Sequence, residues 1–242
     1  MSVHFGELAK RVGADGVITP EEVLTLRREA WPDGRISQAE AEAIVALNHQ
    51  LTSRCREWVE FYVEALGEYV VNQRAPKGYV DAENAAWLMA QLDADGTLGS
   101  MAEIELLVRV FECAQNVPVS LKDYAVAQME HAVLEGTGPT RDGGQLAAGN
   151  VTAAEVKLLR RAIFAPASER PAAVGRKEAE MLFRLKDATL EADNAPEWQR
   201  LFVQGVANYL QGYSDSNAQI SHERAQELEH FMNESRSSVG GF

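Results

Sequence analysis

The stretch that decides the fold is "GVITPEEVLTLRREAW" at residues 16–31, because "GNVTAAEVKLLRRAIF" at residues 149–164 repeats it. Both stretches place apolar residues three and four positions apart among charged ones, which is the pattern of an amphipathic helix. The identical pairs are Gly16/Gly149, Thr19/Thr152, Glu22/Glu155, Val23/Val156, Leu26/Leu159, Arg27/Arg160 and Arg28/Arg161. A helix that occurs twice in order indicates an internal duplication.

The repeat continues through three further segments. "ISQAEAEAIVAL" from residue 36 aligns with "VGRKEAEMLFRL" from residue 174, and "EWVEFYVEALGEYV" from residue 57 with "EWQRLFVQGVANYL" from residue 197. "VDAENAAWLMAQL" from residue 80 aligns with "ISHERAQELEHFM" from residue 220. The offset between the copies grows from 133 to 138 to 140 only between helices, as expected when loops change length and helices are kept.

Two more helical segments, "AEIELLVRVFECAQ" and "LKDYAVAQMEHAVL", separate the copies and precede the glycine-rich "GTGPTRDGGQLAAG". We therefore predict an all-α protein with internally duplicated four-helix units and a two-helix insert between them. The insert either bridges the two units or completes the first. The predicted ranges are 1–92 for the first repeat, 93–135 for the insert, 136–149 for a linker, 150–233 for the second repeat and 234–242 for a flexible tail.

Composition narrows the class of partner. The chain has 36 acidic and 23 basic residues and a net charge of −13, which argues against nucleic acid or an anionic membrane as the main partner. Its two cysteines, Cys55 and Cys113, are too few for a disulfide framework or a thiolate metal cluster. The first residues lack a basic start followed by an apolar run, so we expect a cytoplasmic protein. The oligomeric state stays open.

The repeated Asp-Gly motifs in "ADGVITPEEV" and "DGRISQAEAE" have two interpretations. One is helix capping, in which Thr19 with Glu22 and Ser37 with Glu40 satisfy free backbone N–H groups at a helix start. Thr152 with Glu155 repeats this arrangement in the second copy. We favour capping, because each of these residues then has a role without a metal.

The other interpretation is a calcium loop, which needs oxygen ligands at positions 1, 3 and 5 and a Glu at position 12. The later half of that pattern fits, and the candidate ligands are Asp15, Glu22, Asp33 and Glu40. The early positions hold residues such as Arg11 and Trp31, which supply no suitable ligand. A third acidic loop, "QLDADGTLGSMAE", adds Asp93, Asp95 and Glu103 as candidates, with a Ser100/Glu103 capping box as the alternative.

These motifs resemble two known groups. The half-loops are similar to EF-hand calcium loops, and "ADGVITPEE" resembles a stretch of the TerB-like family of tellurite-resistance and stress-associated proteins. The TerB-like resemblance implies an all-helical fold with acidic residues involved in ion binding. It covers about ten residues per copy.

Residues 72–87, "NQRAPKGYVDAENAAW", form a basic and aromatic stretch in an acidic protein. Their counterparts in the second copy lack this character. Since Arg, Tyr and Trp are enriched at the energetic centres of interfaces, Arg74, Lys77, Tyr79 and Trp87 are candidates for binding a partner. A plain helix connector with a proline turn is the alternative.

No motif for a phosphate-binding loop, a nucleophile elbow or a zinc-binding His pair occurs in the sequence. We therefore expect a non-enzymatic helical protein that binds another protein as an adaptor or regulator, with no cofactor. The alternatives are a divalent-cation protein of calcium type that uses the acidic loops, and an enzyme with an unfamiliar site across helices.

Overall fold

The prediction of a mostly helical chain is confirmed. The structure, a computed structural model, describes residues 6–7, 12, 15–31, 34–93, 98–135, 149–167 and 173–212. Within those ranges the helices are α1 (Pro20–Ala30), α2 (Gln38–Gln50), α3 (Arg56–Glu68), α4 (Ala82–Leu92), α5 (Met101–Cys113), α6 (Val119–Glu135), α7 (Ala153–Ile163), α8 (Arg176–Ala188) and α9 (Pro196–Gly212). A π-helical segment, Tyr69–Gln73, continues α3.

Parts of the predicted domain ranges fall outside the described residues. The longest of these parts are residues 136–148 of the linker and residues 213–242, which include the end of the second repeat and the tail. The five domain ranges therefore stay predictions.

Capping boxes begin the helices α1, α2 and α7, as the sequence predicts. At α1, the Glu22 carboxylate accepts a hydrogen bond from the Thr19 backbone N–H at 2.9 Å, and the Thr19 hydroxyl accepts one from the Glu22 N–H at 3.3 Å. The same reciprocal pairs join Ser37 to Glu40 and Thr152 to Glu155. Each cap contributes about 1 kcal/mol to helix stability.

A short parallel pair of strands, which the sequence reading missed, precedes α1 and α3. Strand β1 (Val17–Ile18) pairs with β2 (Ser53–Arg54) in the register Val17 to Ser53. Gly16 makes the turn before β1 with a φ of 75°, a backbone conformation that glycine adopts without strain. Its carbonyl accepts hydrogen bonds from the N–H groups of Thr52 and Ser53, so the start of α1 is fixed to the start of α3.

A similar connection fixes the start of α7 to the start of α9. The backbone N–H of Ala195 donates to the carbonyl of Val151 at 2.8 Å. The side-chain oxygen of Asn194 accepts from the N–H of Val151 at 2.7 Å. Gly149, with a φ of 87°, precedes this contact as Gly16 precedes β1.

The core is densest around α3, which packs against α1, α2 and α5. Trp58, Phe61 and Tyr62 are fully buried there, and the Trp58 ring centroid lies 5.8 Å from that of Phe61 and 6.1 Å from that of Tyr62. Each buried aromatic ring removes a large apolar area from water and so contributes strongly to the stability of a helical core.

Helix α9 packs against α7 and α8. Trp198 is buried and lies 6.3 Å from the Phe202 ring. Gly205 allows α9 to approach α8 closely, because a Cβ atom at this position would lie 2.5 Å from Leu182 Cδ1.

The two helices of the insert bridge the groups of helices on either side. Helix α5 packs against α3 and α7, and α6 packs against α4 and α8. Charged pairs strengthen these contacts: Arg161 of α7 bonds to Glu105 and Glu112 of α5, and Arg184 of α8 bonds to Glu130 of α6. Helices α5 and α6 therefore contact helices that precede them and helices that follow them in the chain.

Candidate partner-binding surface

Residues 74–80, which we call the basic loop, connect the π-helical segment to α4. The N–H of Gly78 donates to the carbonyl of Val71 at 2.7 Å, which closes the loop on itself. The turn uses Gly78 at a φ of 82°. On its other side, the Gln115 N–H donates to the Gly78 carbonyl at 2.8 Å, and the Val80 N–H donates to the Asn116 carbonyl at 3.0 Å. The loop therefore has a defined shape.

The Arg74 side chain, at the start of the basic loop, packs against two aromatic rings. Its guanidinium carbon lies 5.0 Å from the Trp87 ring centroid and 5.8 Å from that of Tyr69. The two rings themselves meet edge to face at 5.4 Å. A cation that lies over two neighbouring aromatic rings is attracted by both, with about 1 kcal/mol or more per contact when water is excluded. Nη1 of Arg74 is buried and makes no hydrogen bond to the described residues.

The four predicted partner-binding residues thus divide into two pairs. Arg74 and Trp87 contact each other and are half-buried, so they shape the loop. Lys77 and Tyr79 are exposed, and Tyr79 presents 43% of its surface to solvent. Only the second pair is available for direct contact with a partner.

Sequence reasoning missed three residues of this surface. Tyr69 contacts Arg74 from the helical segment before the loop, and Gln115 and Asn116 lie about forty residues from the loop that they hold. The sequence around an aromatic residue in a helix does not show whether a cation will pack against its ring. Hydrogen bonds between loop backbones do not depend on side-chain type, so they leave no pattern in the sequence. Only the three-dimensional structure reveals them.

The described candidate metal ligands of the two Asp-Gly motifs form hydrogen bonds within the protein. Asp15 Oδ1 accepts from the N–H of Val17 at 3.0 Å. Glu22 and Glu40 both accept from their N-cap residues, as described above for α1 and α2. Asp33 lies outside the described residues.

Glu103 is buried at the start of α5 and surrounded by donors. Its Oε2 accepts from the N–H groups of Gly99 and Ser100 at 2.7 and 3.0 Å, and its Oε1 accepts from Asn48 Nδ2 at 2.8 Å. His49 Nε2 lies 3.3 Å from the same Oε1. Asp93 is exposed at the end of α4, and Asp95 lies outside the described residues.

Asn48 is the centre of this buried network, which sequence reasoning did not identify. Its side-chain oxygen accepts from Arg54 Nε at 2.9 Å and from Trp58 Nε1 at 3.0 Å. Its amide nitrogen donates to Ser100 and to Glu103. Because each polar atom of the Asn48 side chain has partners, a buried network of this kind fixes α2, α3 and α5 in one arrangement.

Tyr62 lies beside this network with its hydroxyl buried and without a hydrogen bond to the described residues. Burial raises the pKa of Tyr62 well above its ordinary value, and the nearby carboxylate of Glu103 adds to the increase. The tyrosine is therefore neutral throughout the physiological range.

Among the described residues, no group of three or more His, Cys, Asp or Glu side chains is arranged to hold a metal ion. In the same part of the chain, no helix combines the length and apolarity needed to cross a membrane. Comparison of the chain with family models, with curated proteins and with solved structures gives no significant match. The TerB-like and EF-hand resemblances and the metal assignments stay predictions.

Proposed function

We propose that this chain is a non-enzymatic protein-binding adaptor or regulator, and that its partner docks on the basic loop. The observation that carries the proposal is the exposure of Lys77 and Tyr79 on a loop held by backbone bonds at both sides. A side chain presented on a preorganised loop loses little conformational entropy on binding. Lys77 favours an acidic segment of the partner, and Tyr79 supplies a large amphipathic contact.

The stacked Arg74 supports this proposal. Its guanidinium lies beside Tyr69 and Trp87 at the start of the loop, so Arg74 and Lys77 place two positive charges there although the whole chain is acidic. An acidic segment of the partner would be attracted by these two charges, whereas the net charge of the whole chain, −13, repels it. Such a contrast in charge selects one orientation of approach.

The experiment places a photo-reactive amino acid at Tyr79 in cells that contain the partner. The cross-linked protein is identified, purified and titrated against the wild-type chain. The double variant Lys77→Glu/Tyr79→Ala is expected to weaken binding at least tenfold. The matched control Lys157→Glu/Leu24→Ala changes an exposed lysine and an exposed apolar residue elsewhere and is expected to leave binding unchanged.

Equal binding by both double variants would rule out the basic loop as the docking site. The titration is repeated with calcium and with a chelator. The adaptor proposal expects the same affinity in both, whereas a requirement for calcium would favour the divalent-cation alternative.

We also propose that the helices before and after the insert are copies of one unit. Two conserved contacts support this. Arg27 bonds to Glu64 at 2.5 Å, and Arg160 bonds to Gln204 at 2.7 Å at the corresponding positions. The corresponding ring pairs Trp58/Tyr62 and Trp198/Phe202 have similar interplanar angles, 48° and 52°.

A further inference from the structure

Helices α8 and α9 leave an apolar face exposed. Phe183 of α8 is 46% exposed, and Val203 and Leu210 of α9 are 56% and 71% exposed. Phe183 and Phe202 meet edge to face with 5.2 Å between ring centroids. We call these four residues the α8–α9 face. Contiguous exposed apolar side chains on neighbouring helices mark a surface that another element covers.

Of the four corresponding residues before the insert, three are buried and the fourth, Val63, the counterpart of Val203, is half-buried. The correspondences are Phe183 with Val45, Phe202 with Tyr62, and Leu210 with Val70. Val45, Tyr62 and Val70 are all buried. Helix α4 provides part of the cover, because it packs against α2 and brings the Trp87 ring to 5.4 Å from that of Tyr69.

The covering side of α4 has a counterpart later in the sequence. Four apolar residues in and just before α4 are buried: Val80, Ala85, Leu88 and Leu92. At the constant offset of 140, the sequence has Ile220, Ala225, Leu228 and Met232. All four counterparts are apolar, and the residues between them are mainly polar, as in an amphipathic helix.

We propose that residues 220–232 dock on the α8–α9 face, as α4 docks on α2 and on the end of α3. The segment starts eight residues after Gly212, the last residue of α9, so a short connection reaches the face. The proposal uses the proposed correspondence of the two units and is independent of the basic loop.

A cysteine pair tests the contact directly. Tyr209 and Glu227 correspond to Tyr69 and Trp87, whose rings touch. In the full chain with Cys55→Ser and Cys113→Ser, the pair Tyr209→Cys/Glu227→Cys is expected to form a disulfide within one chain under mild oxidation. In the control pair Gln199→Cys/Glu227→Cys, the first cysteine lies ten residues, or about 15 Å, before position 209 on α9, and this pair is expected to react at least tenfold more slowly.

Equal rates for the two pairs overturn the proposal. A disulfide that forms only between chains also overturns it, and identifies a second copy of the chain as the occupant of the face. Non-reducing gels and intact mass distinguish the two products.

A second measurement uses binding of a hydrophobic dye to the full chain. Leu228→Asp is expected to expose the α8–α9 face and raise dye fluorescence several-fold. Gln226→Asp is the matched control, because its counterpart Ala86 is exposed on α4. The same fluorescence in both variants contradicts the proposal, and neither variant alters residues 74–80, so the partner-binding proposal is tested separately.

Discussion

Helices α3 and α9 each carry a tryptophan at the start and a neighbouring ring one turn later, but their surroundings differ. Helix α3 is enclosed by α1, α2 and α5, and α9 has contacts mainly to α7 and α8. Gly67 of α3 approaches Arg109 of α5, whereas the corresponding Ala207 of α9 is exposed. The comparison teaches that two helices with similar ring pairs on the inner face can have different neighbours on the outer face.

The largest expected effect comes from the two tryptophans. Trp58→Ala removes a fully buried ring and its hydrogen bond to Asn48, and should lower the free energy of unfolding by about 4–5 kcal/mol. Trp198→Ala removes a buried ring from a more open helix and should cost about 3 kcal/mol. Urea denaturation measures both, and equal losses would show that α9 is enclosed as completely as α3.

The next largest change in stability is expected from substitutions on the outer faces of α3 and α9. Gly67→Leu should destabilise the chain by about 2–3 kcal/mol, because an added Cβ already lies 3.2 Å from Arg109 Cγ. Ala207→Leu at the corresponding position should change stability little, since this position is exposed. The Tm values of the two variants are compared with that of the wild-type chain. A large decrease in Tm for Ala207→Leu would mean that the outer face of α9 is tightly packed.

A smaller change in stability is expected when Arg161 is compared with Arg28, the residue aligned with it before the insert. Arg161 binds Glu112 through two hydrogen bonds of 2.8 and 3.0 Å and Glu105 through a third, which raises its pKa. Arg161→Ala should cost about 1–2 kcal/mol, a value reduced for the partial exposure of the side chain.

The control for this variant is Arg28→Ala, which changes the exposed counterpart of Arg161 and should leave the unfolding midpoint unchanged. Arg161→Lys should give an intermediate loss, because lysine keeps the charge without the bidentate geometry. Equal midpoints for Arg28→Ala and Arg161→Ala contradict a role for the α5–α7 charges.

The smallest effect at neutral pH is that of Tyr62→Phe, which gives α3 the ring that α9 has at Phe202. Because folding raises the pKa of Tyr62, the unfolded state loses its proton first, and stability falls as pH rises above about 10. Tyr62→Phe should reduce this alkaline loss and change stability by about 1 kcal/mol or less at pH 7. Denaturation curves between pH 8 and 11 check the result.

Local rules predicted the helices and their starts, because a cap such as Thr19 with Glu22 lies within one turn of chain. The periodicity of "EWVEFYVEALGEYV" likewise identified the buried side of α3. The β1–β2 pair and the network at Asn48 were not predictable in this way, since their partners are 36 and 52 residues apart. At the candidate site, residue type nominated Arg74, but its contact with the Tyr69 and Trp87 rings depends on how the end of α3 and α4 pack.

The bridging position of α5 and α6 has a consequence for unfolding. Each of these helices contacts partners on both sides, so neither group of helices can separate without opening contacts of the other. Domains joined only by a linker can unfold one after the other, whereas elements that share packed neighbours lose structure together. The chain should therefore show a single cooperative transition, and amide hydrogens of α3 and α7 should exchange with similar opening free energies.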